Sequence, residues 1–91
     1  MTQAATRIPT RTRTLRVPHA YSSVPRTRRT IAEDLRGRDV PAVVVDEAEL
    51  VVSELLGNAV RHASALPDGT VRVHWQVKGG VVELDVTSQS S

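Results

Sequence analysis

Apolar and polar positions alternate along three short stretches of this chain and recur at helical spacing along two longer ones. Thr14 to Pro18 (TLRVP) alternates, with Leu15 and Val17 on one side. It predicts a short strand that Pro18 ends or confines to a sheet edge. Ser22 or Ser23 then opens a helix. Pro25 suits its first turn, where a backbone N–H has no intrahelical partner, and Gly37 stops it. Val24, Arg28, Ile31 and Leu35 fall at helical spacing along it. After a linker, Gly37 to Pro41, a long helix is predicted from Ala42 to Ala65. Its Val44, Ala48, Val52, Leu55, Leu56, Ala59 and Ala63 make one broad apolar arc. Gly57 lies inside that helix at a cost of about 1 kcal/mol relative to Ala, which marks close packing or the approach of a ligand. Pro67-Asp68-Gly69 is a turn signal. Thr70 to Val77 alternates Val71, Val73, Trp75 and Val77 against Arg72, His74 and Gln76. Val81 to Thr87 sets Val82, Leu84 and Val86 against Glu83 and Asp85. Lys78-Gly79-Gly80 joins the two as a hairpin turn.

The order strand, helix, helix, strand, strand gives an α+β fold: a two-layer sandwich with helices on one face of a mostly antiparallel sheet. The 91 residues suffice for one small domain. With one Trp, one Tyr and no Phe, its core must be aliphatic, and the absence of Cys excludes disulfides and thiolate chemistry. No stretch approaches the roughly 20 apolar residues of a membrane span, and the N-terminus lacks the apolar core of a secretory signal. A cytoplasmic location without membrane contact is the expectation. Residues 1–12 read as a disordered basic leader, 13–87 as the folded unit and 88–91 as a polar tail.

The net charge of +2 conceals an imbalance. Residues 1–38 carry nine Arg against Glu33 and Asp34, and residues 39–91 carry three bases against eight acids. This is either an anion-seeking surface or a solvated arginine-rich leader. Nucleic acid is not the expected partner, because the Arg-rich residues 7–38, with Tyr21 alone among Phe, Trp and Tyr, lack the aromatic platform on which successive bases stack.

Glu54, Asn58 and His62 stand at i, i+4 and i+8 of the long helix, a stripe about 80° wide. It borders the apolar arc, where a helix meets a cleft. Mg²⁺ prefers oxygen ligands and is usually held by few protein groups together with phosphates and water. The Asn58 oxygen is such a ligand. Glu54 is placed to take a proton from a group attacking a terminal phosphate, and Arg61 or His62 to meet a phosphate oxygen. The same spacing also arises on solvated helices through weak contacts between successive turns. His19, His62 and His74 lie on different elements and do not suggest a zinc site.

The run Glu54-Leu55-Leu56-Gly57-Asn58-Ala59-Val60-Arg61-His62-Ala63 closely resembles the N box of the Bergerat-fold (GHKL, histidine kinase-like) ATPases. The longer run ELVVSELLGNAVRHA, Glu49 to Ala63, is most similar to the anti-sigma-factor serine/threonine kinases, and the elements before and after it follow in the same order. The resemblance spans about residues 13–87. It implies ATP and Mg²⁺ as cofactors, Asn58 as the Mg²⁺ ligand and Glu54 as the general base. It also implies Ala59 and Ala63 packed under the nucleotide, with His62 near the phosphates. The implied activity is phosphoryl transfer from ATP to a serine of an antagonist (anti-anti-sigma) protein, with a sigma factor as second partner and a homodimer as the assembly.

The pattern departs from the family after the last strand. Ser88 stands where the family has the Asp of D-x-G-x-G, which recognises adenine, and Gln89, Ser90 and Ser91 follow in place of its glycines. Ser lacks the carboxylate, and backbone cradling of phosphates needs the glycines. The expectation is therefore an incomplete, C-terminally truncated form of the fold. A non-catalytic, protein-binding remnant that does not use ATP stands as the alternative.

Overall fold

A computed structural model describes residues 12–90. The first eleven residues of the leader lie outside the described residues, whereas Thr12, assigned to that leader from sequence, already pairs in the sheet. The elements are β1 (Thr12–Pro18), α1 (Ser23–Gly37), α2 (Ala42–His62), β2 (Thr70–Lys78) and β3 (Val81–Thr87). The three strands form one antiparallel sheet in the order β1-β2-β3. Both helices pack on the same face, so the α+β sandwich expected from the pattern is the observed fold. No helix among the described residues is long and apolar enough to cross a membrane.

Alternation decides which side of the sheet is buried. Val71, Val73 and Trp75 of β2 point inward and are buried, as is Val17 of β1, with Leu15, Val82, Leu84 and Val86 half-buried beside them. The register sets Val17 opposite Val71, Leu15 opposite Val73, and Trp75 opposite Leu84. One apolar row therefore runs across all three strands. Gly79 (φ 59°) and Gly80 (φ 81°) form the two-residue β2–β3 loop. Two successive positive-φ positions match the right-handed twist of a hairpin, which explains two glycines in a row.

The helices bury faces slightly different from those read off the sequence. In α1 the buried line is Ser23, Thr27, Ile31, Ala32 and Leu35. Thr27 takes the inward place assigned to Arg28, which lies exposed and donates to Ser53 Oγ at 3.2 Å. In α2 the line is Val45, Ala48, Val52, Leu56 and Ala59. Val44 is half-buried and Leu55 exposed, because the arc turns by about one residue toward α1. The helix also ends three residues earlier than expected. Ser64 leaves it to exchange backbone hydrogen bonds with Gln89 at 2.8 and 2.9 Å, so the segment read as a polar tail is partly paired.

One polar cluster closes the core at the hairpin end. Trp75 is buried, and its indole Nε1–H donates to Asp34 Oδ2 at 2.8 Å. The same carboxylate meets Arg38 Nε at 3.1 Å and Arg13 Nε at 3.3 Å. A buried indole N–H without an acceptor is costly, so Asp34 completes Trp75 as a core residue. Asp34→Ala is expected to lower stability by about 2 kcal/mol in urea denaturation, and Asp34→Asn, which keeps an acceptor for the indole, by clearly less. Equal losses would show that the two guanidinium contacts, rather than the indole bond, dominate.

Candidate functional site

The second half of α2 carries the polar residues singled out from the sequence, and burial of Val52, Leu56 and Ala59 fixes where they face. Asn58 is next to Ala59 in the chain but 100° around the helix, so it sits outside the core and is exposed. Glu54 precedes it by one turn, a rise of about 6 Å, and is also exposed. Ser53, Glu54, Gly57, Asn58 and Arg61 line one open depression of about 400 Å³. Three expected site residues, Glu54, Asn58 and Arg61, thus share a single surface.

Within it, Arg61 Nη2 donates to Asn58 Oδ1 at 2.8 Å. Arg61 Nε lies 3.3 Å from His62 Nε2, which accepts its hydrogen, so His62 joins the depression through Arg61 rather than as a wall. Ala59 lies apart from it, buried in the core. Among the described residues no three His, Cys, Asp or Glu side chains converge. A metal ion here would therefore draw few ligands from the protein and most from phosphate and water. The hard, neutral Asn58 oxygen beside the Glu54 carboxylate suits Mg²⁺ held in that way.

A Cβ added at Gly57 meets nothing within 4 Å, so close packing is not what keeps it glycine. It forms part of the floor between Glu54 and Arg61. Ser53, not anticipated from the sequence, lines the same surface. Its hydroxyl donates to Glu49 O at 2.7 Å and accepts from Arg28 on α1.

The end of α2 is held by a residue that no local pattern pointed to. His19, just after β1, places Nε2 at 3.0 Å from Ala59 O and 2.8 Å from Ala63 O. Both are carbonyls, so Nε2 carries the hydrogen. The imidazole caps the last turn, adding a second donor to Ala59 O, which also accepts the Ala63 N–H at 3.1 Å, and reaching Ala63 O beyond the helix end, and so steadies the turn that bears Asn58, Arg61 and His62. His19→Ala is expected to cost about 1 kcal/mol and to speed amide exchange in residues 59–63 while leaving α1 unchanged. Uniform loss of protection across both helices would contradict a local capping role.

Among known proteins, the family model described as histidine kinase-like ATPase domain matches residues 17–91. No curated protein and no solved structure matches the chain.

Proposed function

Because the chain belongs to the histidine kinase-like ATPase domain family, we propose that it is an ATP-binding regulatory protein that works in the manner of the anti-sigma-factor serine kinases. In this reading Asn58 holds Mg²⁺ through its side-chain oxygen. Arg61 and His62 face the phosphates, and Ala59 backs the nucleotide from within the core. Glu54 takes the proton of the attacking serine hydroxyl of a protein substrate as the γ-phosphoryl group moves to that oxygen. The metal, when bound, neutralises charge that develops on the phosphate oxygens. By resemblance, the substrate is an anti-anti-sigma protein, a sigma factor is the regulated partner and the setting is the cytoplasm. The observation that carries the reading is the shared depression of Glu54, Asn58 and Arg61 around an otherwise unexplained Gly57.

A second reading, a protein-binding module that does not use ATP, draws support from apolar surface beside the site. Val51, Leu55 and Val81 are exposed, and a groove of about 400 Å³ runs between α2 and β3, lined by Val44, Val51, Val82 and Leu84 among others. Exposed apolar surface of that kind marks contact with another protein.

Calorimetry with Mg²⁺-ATP separates the two. Asn58→Ala should weaken Mg²⁺-dependent ATP binding by about tenfold or more, and Glu54→Ala should keep binding while losing phosphoryl transfer by at least about a hundredfold. Unchanged Mg²⁺-ATP affinity in the Asn58 variant sinks the assignment of Asn58 as the metal ligand, whereas a folded, unaltered chain that does not bind Mg²⁺-ATP leaves the second reading. Ser88, where the family places an adenine-recognising Asp, supplies an independent check. Ser88→Asp should tighten ATP about tenfold and raise the preference for adenine over guanine nucleotides, as a charge-assisted hydrogen bond does. Equal gain for both nucleotides would remove position 88 from the base site.

A further inference from the structure

We propose that Arg61 acts as a built-in cation at the Asn58 oxygen, so that a divalent metal enters the site together with a polyphosphate and binds poorly without it. This rests on the reading of Asn58 as the metal ligand. Asn58 Oδ1 is the only hard, neutral side-chain oxygen lining the depression apart from the Ser53 hydroxyl, which is engaged with Glu49 O and Arg28. Arg61 Nη2 already donates to that Asn58 oxygen at 2.8 Å. The guanidinium also donates through Nε to His62 Nε2 at 3.3 Å.

A guanidinium cannot lose its charge in this setting. A divalent cation accepted by the same oxygen would therefore stand beside a full positive charge, in partial compensation only from Glu54 one turn away. Metal alone meets repulsion and an occupied acceptor. A phosphate chain changes both, because it offers the guanidinium paired oxygen acceptors that suit its fork. Arg61 can transfer to them by rotating its own side chain, since it lies three residues from Asn58 on the same helix face. Its departure frees Oδ1 for the metal that accompanies the phosphates. Arg61 is thus a positioning residue whose two acceptors, the Asn58 amide and phosphate, are used in alternation.

The test is binding of Mn²⁺ alone to the full chain, followed by electron paramagnetic resonance of the free ion, with circular dichroism on the same samples. Arg61→Ala should bind Mn²⁺ about tenfold tighter than the unaltered chain, the effect of removing one like charge beside the ligand. Arg61→Lys, which keeps the charge, should stay near the unaltered value. Both should bind a non-hydrolysable ATP analogue with Mg²⁺ more weakly than the unaltered chain, the alanine variant most. Mn²⁺ affinity unchanged, lowered or undetectable in Arg61→Ala with normal helix content overturns the proposal. Failure of the underlying site reading looks different: Arg61→Ala then gains Mn²⁺ affinity, but adding Asn58→Ala does not remove the gain.

Discussion

The hydrogen bond from the Trp75 indole to the Asp34 carboxylate is the constraint on which the rest of this fold depends. The chain has no Phe, and its core is otherwise built from Val, Leu, Ile and Ala. Trp75 is the one large side chain available to fill the space between sheet and helices, and it can be buried only if its N–H finds an acceptor. Asp34 supplies it from α1, and a carboxylate drawn that far inward in turn needs cations. Arg13 from β1 and Arg38 from the end of α1 provide them. One indole thereby ties together the central strand, an edge strand and a helix. With α1 fixed on the sheet, α2 has a single groove to fill.

Placement of α2 then decides the site. Its buried line runs from Val45 to Ala59, and the adjacent line of Glu54, Asn58 and Arg61 is left at the surface. The helix needs holding at its far end as well, where hydrogen bonding runs out, and His19 does this from the turn after β1. The polar stripe is therefore braced from two directions, by core packing along its length and by one imidazole at its terminus. Neither brace takes part in the chemistry proposed for the stripe.

Much of this was legible in the sequence because it rests on local periodicity. The alternation of Val71, Val73 and Trp75, the Gly79-Gly80 turn and the four-residue spacing of Glu54 and Asn58 need no knowledge of the rest of the chain. What was not legible depends on partners distant in sequence. Which of Val44 and Val45 faces inward is set by where α1 lies, and Thr27 displaces Arg28 from the buried line for the same reason. Ser64 leaves α2 because Gln89, far along the chain, pairs with it. The contacts of His19 with Ala59 and Ala63 and of Asp34 with Trp75 join positions about forty residues apart, beyond the reach of any local pattern. The family resemblance pointed to Glu54, Asn58 and His62, and helix chemistry to Arg61 beside them, but the bond that engages the Asn58 oxygen with Arg61 became visible only with side chains in place.

The position of Trp75 also governs how the molecule can be watched. It is the chain's sole indole, sealed at the hairpin end of the sheet beneath Asp34 and its two arginines. The strand residue at the α2-terminus end of the same row, Val71, lies roughly 13 Å away along β2. The emission of Trp75 therefore gauges whether the two layers are docked.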